Sequence, residues 1–354
     1  MTDDVREEIR SAVSAILRGR TTGRGKPSDD FDHPVWKDLS AGGFHLLGVP
    51  EGAGGSGGRL SDLAVVVDLM AFHAVRVPVA EAAVLAGWMA ARAGLSLPEG
   101  VVVASLDEAR GRQRNGALRL SGTLRVPWGR HADHVVTTVR CGDETLVALL
   151  PMATRGSTAV CLTTAENLAG EPRDTLVLED MELVDPVAAA APPGLDSSAI
   201  LQRGALARCV QLAGAARAVL MSALQYATER EQFGRPLARF QAVQQHLAAL
   251  AAEVTALQVS ADAALLATEA EDTDAGVAVA AAKATTSAGA HVVAALGHQL
   301  HGAIGYSQEH HLGAATTRLW AWREEFGSES HWHDRLAALV RQEDSWWHLV
   351  TGGE

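Results

Sequence analysis

Two stretches in the last third of the chain decide its reading. They are Arg230-Glu231-Gln232-Phe233-Gly234-Arg235-Pro236, followed by Phe240-Gln241, and Gln299-Leu300-His301-Gly302-Ala303-Ile304-Gly305-Tyr306. Each breaks a long helical pattern with glycine. Leu201 to Arg230 runs without proline and stops at Gly234 and Pro236, a glycine-then-proline stop signal. Gln241 to Thr268 and Gly276 to Leu300 continue the pattern, and Leu312 to Glu325 and His331 to Val340 finish it. Long helices joined by short turns pack as antiparallel neighbours, so residues 195–354 predict a C-terminal four-helix bundle. The first stretch sets a cation, an amide and an aromatic at a helix end. That set suits a pyrophosphate and an adenine, while the segment read in isolation favours a helix C-cap with arginine near the last carbonyls. The glycines of the second let backbone approach a ligand closely.

Upstream, the pattern divides twice more. Residues 1–99 read as an N-terminal helical domain. Val5, Ile9, Val13 and Leu17 form one helical stripe. Trp36–Ala41 and Leu60–Val77 are further helices, the latter with Ser61 and Asp62 as candidate caps. Residues 100–190 read as a middle β domain. Leu118 to Val126, Val135–Val139, Leu146–Leu150, Val160–Thr163 and Leu176–Leu178 are short and separated by turn residues, which predicts a small antiparallel barrel or sandwich. Ala188 to Gly194, with Pro192 and Pro193, reads as a linker. The fold class is therefore mainly α with a small β domain.

Composition limits the function. The 354 residues carry 30 Lys+Arg against 42 Asp+Glu, a net charge of -12, which argues against nucleic-acid backbones and anionic lipid as partners. Three scattered cysteines fit a reducing cytoplasm better than a disulfide scaffold. No apolar h-region opens the chain and no stretch demands a membrane span. Gly52-Ala53-Gly54-Gly55-Ser56-Gly57 matches G-x-G-x-x-G, but the zone is helical rather than βαβ and Asp68 comes too early for the ribose contact, so a surface turn is the better reading. His310-His311 and His331-x-His333 lack the three- or four-residue helical spacing of a metal pair, so no metal site is expected.

Taken together and in this order, the two glycine-broken helix ends resemble those of the acyl-CoA dehydrogenase family. The likeness extends upstream through Trp36-Lys37-Asp38-Leu39, Gly43, Gly48-Val49-Pro50-Glu51, Gly54-Gly55-Ser56-Gly57 and Ala169-Gly170-Glu171-Pro172-Arg173. The last looks most like actinobacterial members used on steroid or bulky side-chain thioesters. The resemblance implies FAD lying extended between subunits. Arg230 is then the contact to a pyrophosphate held mainly by the neighbouring subunit. Gln232 and Phe233 contact the flavin nucleotide, Gln299 with the Gly302–Gly305 turn its adenosine half, and Gln241 supports the same region. The implied reaction is α,β-dehydrogenation of an acyl-CoA thioester, with a desolvated carboxylate taking the α proton and hydrogen bonds stabilising the enolate oxygen.

Two departures matter. The family's base sits in a Tyr-Glu-Gly-Thr segment. The matching residues here are Glu325-Phe326-Gly327-Ser328, so Phe326 stands where glutamate is expected. The alternative base position falls in Gln202-Arg203-Gly204-Ala205-Leu206, without a carboxylate. Glu325 is the remaining candidate base, but one residue of helix turns a side chain by about 100°. A salt bridge to Arg318 or Arg323 is the competing role for Glu324 and Glu325. Second, the family's Thr-rich loop ending in Gly-Ser-Asp, which contacts the flavin ring, has no counterpart between Val101 and Leu118. Trp128 matches a ring-backing aromatic only loosely.

The leading expectation is a subunit of a heteromeric acyl-CoA dehydrogenase lending trans FAD contacts to a homologous catalytic partner. The alternatives are a self-sufficient homo-oligomer with Glu325 as base, and a flavin-free structural or regulatory subunit. An electron-transfer flavoprotein is a candidate acceptor. Trp332, Trp346 and Trp347 either anchor a partner or cover the bundle end.

Overall fold

The computed structural model describes residues 2–18, 30–114, 116–154, 158–184, 187–307 and 310–341. Chain contacts divide it into two compact units: Met1–Ile16, Asp29–Val66 and Arg76–Gly204 form the first, and Leu17–Ser28, Val67–Val75 and Ala205–Glu354 the second.

The first unit opens with helices. Helix α1 (Thr2–Arg18) buries Ile9 and Val13, and Leu17 after them. Val5, expected on the same stripe, is 45% exposed. Helix α2 (His33–Ala41) starts on Asp32, whose side chain accepts from the Val35 N–H at 3.1 Å. Helix α3 (Leu60–Phe72) is capped by Asp62, which accepts from the Arg59 N–H at 2.9 Å. It ends five residues before the predicted Val77, where Ala74 turns left-handed at φ 52°. Beyond Pro78, π-helical turns over Ala80–Gly87 lead into α4 (Trp88–Arg92), a helix the periodicity did not mark off. The turn around Gly54 belongs to no βαβ unit. A Cβ on Gly55 would come within 2.2 Å of the Val49 carbonyl oxygen, so packing dictates that glycine.

The strands β1 (Val102–Arg114), β2 (Ala117–Pro127), β3 (His134–Cys141), β4 (Glu144–Pro151), β5 (Val160–Thr163), β6 (Arg173–Val184) and β7 (Ala188–Ala190) make one sheet in the order β5-β6-β2-β1-β3-β4-β7. Every pairing is antiparallel except β1 with β3, which is parallel. Two strands were not legible. β1 reads Ser-Leu-Asp-Glu-Ala-Arg-Gly-Arg-Gln over much of its length and carries an irregularity between Ala104 and Glu108. β7 lies inside the stretch read as a linker and pairs with β4.

The second unit is the helical bundle: α5 (Ser197–Glu229), continuing from the first unit, then α6 (Gln241–Glu269), α7 (Ala275–His301), α8 (Leu312–Trp322) and α9 (Glu329–Val340). Glycine sets how closely these helices approach. A Cβ on Gly289 of α7 would lie 2.2 Å from Leu257 Cδ1 of α6, and one on Gly297 would lie 2.5 Å from Val219 Cγ1 of α5. By length and composition α5 and α6 could each cross a membrane. Much of α5 is buried inside the protein instead, as in the core helix of a globular bundle.

Candidate functional site

Helix α5 gives way to a two-residue hairpin. Strands β8 (Glu231–Gln232) and β9 (Arg235–Pro236) flank Phe233 and Gly234, both left-handed at φ 53° and 78°. Two consecutive positive-φ residues match the right-handed twist of paired strands. The hairpin lifts Phe233 to 91% exposure, with Phe240 6.2 Å away and Arg235 stacked 4.1 Å over Phe240. Arg230, Gln232, Gln241 and Gln299 are all exposed. The Arg230 guanidinium makes no ion pair among the described residues.

The second glycine-broken end lies at the same end of the bundle. Tyr226, whose carbonyl accepts from the Arg230 N–H at 2.8 Å, stacks on His301 at 5.0 Å. Gly302 has φ 62° and open space where a Cβ would sit, so backbone is presented to the outside. Gly305 is different: a Cβ there would lie 2.9 Å from His301 Cβ and 3.0 Å from Leu312 Cδ2, so its missing side chain serves packing.

Beneath this turn is a polar relay. His301 Nδ1 lies 2.8 Å from the Gly297 carbonyl and must donate to it. Its Nε2 then accepts from the Ser222 hydroxyl at 3.0 Å, and Ser222 accepts in turn from His311 Nε2 at 3.0 Å. His310 and His311 precede α8 with rings stacked 4.5 Å apart, and His310 Nδ1 accepts from the Leu312 N–H at 3.1 Å. Burial, with the neighbouring His311 and His301, pushes the His310 pKa down to about 4. No cluster among the described residues could hold a metal.

The segment between α8 and α9 is fixed by two buried cations. Arg208 of α5 is 1% exposed, and its Nε and Nη2 each lie 2.8 Å from Glu325 Oε2. The same guanidinium is hydrogen-bonded to Gln211 and sits 5.2 Å from the Phe326 ring. Lys283 of α7, fully buried, donates to Ser287 Oγ at 2.8 Å, the Arg323 carbonyl at 2.8 Å and the Gly327 carbonyl at 3.0 Å. Burial lowers its pKa to about 8. Phe326 is held left-handed at φ 54°, and its carbonyl accepts from Trp332 Nε1 at 2.9 Å. Trp332 is fully buried, so it is a pillar under this segment and not a partner anchor; Trp346 and Trp347 lie outside the described residues. Glu324 pairs with Arg323 at 3.4 Å, as one reading of the sequence had it, while Glu325 takes Arg208 in place of Arg318 or Arg323.

In the first unit, β1 and β2 close on a bidentate pair. Arg125 meets Asp107 through Nη2–Oδ1 at 2.7 Å and Nε–Oδ2 at 2.9 Å. Burial raises the Asp107 pKa, but hydrogen bonds and charge from Arg125 outweigh it and leave the carboxyl below its usual range. The turn after buried Trp128 carries Arg130, which binds fully buried Asp174 at 2.8 Å, Asp30 at 3.0 Å and Glu166 at 3.3 Å.

Residues 196–329 match the family description "Acyl-CoA dehydrogenase, C-terminal domain". Acyl-CoA dehydrogenase IpdE2 of Mycobacterium tuberculosis (strain ATCC 25618 / H37Rv) is 30% identical over 321 residues, 87% of this chain and 88% of that one. The chain belongs to the acyl-CoA dehydrogenase family. Acyl-CoA dehydrogenase FadE34 of the same strain is 29% identical over 94% of this chain but only 45% of its own length, so the chain spans about half of that relative. The ChsE4-ChsE5 complex from M. tuberculosis shares the fold, with a TM-score of 0.85 at 21% identity over 96% of this chain and 98% of the other.

FAD is the cofactor of this family, and the two ends of the expected site answer differently to it. Unpaired Arg230, three exposed amides, projecting Phe233 and the bare backbone at Gly302 form a donor set that fits a nucleotide diphosphate arriving from outside the chain. The stretch in which the sequence shows no Gly-Ser-Asp loop is β1, where Asp107 pairs with Arg125 of β2. Arg208 and Lys283 escaped the sequence reading. Both had a signal: Arg208 interrupts an apolar run, and Lys283 is the lone Asp, Glu, Lys or Arg of α7.

Proposed function

We propose that this chain is the non-abstracting subunit of a heteromeric acyl-CoA dehydrogenase that carries out α,β-dehydrogenation of an acyl-CoA thioester. The observation that carries it is the pairing of Glu325 with Arg208 while Arg230, Phe233 and Gln299 are exposed. A base must offer a free carboxylate oxygen to the α carbon. Glu325 is tied through Oε2 to the buried guanidinium, which turns its carboxylate toward Arg208, and Phe326 occupies the family's base position. The residues that remain available contact the nucleotide end of a cofactor held by a homologous partner. FAD, when bound, accepts the hydride from the β carbon. In this chain, Arg230 offsets the diphosphate charge, the Gln232, Gln241 and Gln299 amides orient the nucleotide, and Phe233 covers it from water. A bulky, ring-bearing acyl group is the substrate class suggested by the likeness in Ala169–Arg173.

The test is expression alone and together with a candidate homologous partner subunit. The chain alone is expected to be colourless and inactive, and the complex yellow and active. Arg230→Ala is expected to lower flavin occupancy of the complex at least tenfold. Full flavin occupancy and turnover by the isolated chain overturns the proposal, and an Arg230→Ala complex with unchanged flavin content favours the flavin-free subunit.

A further inference from the structure

Arg208 and Arg130 each meet a carboxylate at 2.8 Å where the protein covers them. Arg203 does not. It lies in the second turn of α5, within the first unit, and is only partly exposed. Its Nε donates to the Val84 carbonyl at 3.3 Å, and its guanidinium stands 5.4 Å from the centroid of the Trp88 ring. The four Nη hydrogens have no acceptor among the described residues. The charge that acts on the group is another cation. Burial, and then Arg92, pull the Arg203 pKa down to about 10. Arg203 is therefore still protonated at neutral pH, with no counter-charge beside it.

Helix α4 explains how the two cations come together. Trp88 and Arg92 are four residues apart and share one face of it. Arg92 is exposed and donates from Nη2 to the Pro193 carbonyl at 3.3 Å, so it too is held by backbone alone among the described residues. Val84 belongs to the π-helical turns over Ala80–Gly87, a geometry that recurs at functional sites. Two like charges kept in reach of each other, one of them desolvated, lower stability until an anion joins them. A packing role alone would be filled by an uncharged side chain of similar length.

The surroundings select the anion. A guanidinium presents its donors as a fork that matches a carboxylate at two points. The half-buried indole of Trp88 lies on one side, and the buried apolar run of residues 82–86 lies behind it. A carboxylate on an apolar body can keep its charge at the fork and lay its hydrocarbon on the indole. A phosphate has no such body and loses more hydration. The position agrees: residues 202–206 are the stretch where the family's alternative base would stand, and this chain carries a cation there. We propose that Arg203, Arg92 and Trp88 form a binding site for a carboxylate carried on an apolar body. The carboxylate belongs to a free acid or to an acyl thioester with a second acid group. The site requires neither flavin nor a partner subunit, so it stands apart from the shared-flavin reading.

Calorimetric titration of the full chain with cyclohexanecarboxylate tests it. The wild type is expected to bind this acid about tenfold or more tightly than inorganic phosphate or the neutral methyl ester. Arg203→Met and Arg92→Met are each expected to weaken it by about tenfold or more, and Arg203→Lys to fall between because it keeps charge and loses the fork. Without ligand, Arg203→Met is expected to melt at or above the wild-type temperature, since one of two like charges is gone. The acid is expected to raise the melting temperature of the wild type and not of that variant. Arg92, being exposed, gives the same binding test without disturbing the fold. The mono-CoA thioester of a cyclohexane dicarboxylate separates the two sources. Competition with the free acid places the carboxylate on an acyl group, and no competition makes the site a receptor for free acids; either result supports the site. No binding by the wild type, phosphate binding as tightly as the acid, or binding unchanged in both methionine variants overturns it. A lower melting temperature in Arg203→Met, with no probe bound by the wild type, makes Arg203 a packing residue.

Discussion

Arg208 Nε and Nη2 both lie 2.8 Å from Glu325 Oε2, so one carboxylate oxygen of the nearest candidate base is held by a fully buried guanidinium. Removing one partner of such a pair strands the other charge, at a cost of about 3 kcal/mol or more. Glu325→Ala is therefore expected to lower the unfolding free energy by on the order of 3 kcal/mol, and Glu325→Gln by less because it keeps an acceptor. In the assembled complex, Glu325→Gln is expected to retain turnover within a fewfold. A drop of a thousandfold with flavin still bound would make Glu325 the base and end the structural reading.

Restoring the family residue at position 326 is not expected to restore chemistry. A glutamate there inherits a left-handed backbone at φ 54°, beside the Arg208 guanidinium now 5.2 Å from the Phe326 ring. Its carboxylate would compete with Glu325 for the same cation. Phe326→Glu is expected to cost about 1–3 kcal/mol, from lost aromatic burial and added negative charge, and to leave the chain alone without dehydrogenase activity. Turnover by that variant alone would show that the segment can still present a base.

Much of this was legible because helices announce themselves by period and glycine. The breaks at Gly234 and Gly302 located both ends of the long helices, and Asp62 was recognisable as a cap. What escaped depends on contacts between distant residues. β1 carries no alternation because its irregularity and its charged stretch obscure the period of two. Trp332 read equally as a partner anchor or a cover for the bundle end, since sequence position does not reveal that Phe326 O lies 2.9 Å from its indole nitrogen. Arg208 and Lys283 went unmarked because their partners in the α8–α9 segment lie 117 and 40 residues further on.

The buried Lys283 predicts an alkaline signature. Its folded pKa of about 8 lies below the ordinary 10.5, so the unfolded chain binds more protons between those values. Stability contributed by this group therefore rises with pH across that window and is constant below it. The unfolding free energy of wild type relative to Lys283→Met is expected to rise between pH 8 and pH 10.5 by up to roughly 3 kcal/mol. At pH 7 the variant is expected to be less stable, since the Arg323 and Gly327 carbonyls lose their donor. A flat difference across the alkaline range would show that the ammonium is not desolvated as its burial requires.

His310 gives the same sign of effect in acid. Burial, and the charge of His311 and His301, hold it at about 4 against an ordinary 6.5. Between those values the unfolded chain again binds more protons, so stability is present above pH 6.5 and declines as pH falls toward 4. His301 is lowered too, chiefly by burial, and sits in the same relay through Ser222. His310→Gln removes the first titration and keeps a polar side chain at the stack. Its expected effect is a shallower loss of stability from pH 6.5 to pH 4, measured by urea unfolding at each pH. Because the relay supports the turn at Gly302, the same acidification is expected to weaken flavin retention in the wild-type complex more steeply than in the variant. Parallel slopes in both measurements would remove His310 from the acid response.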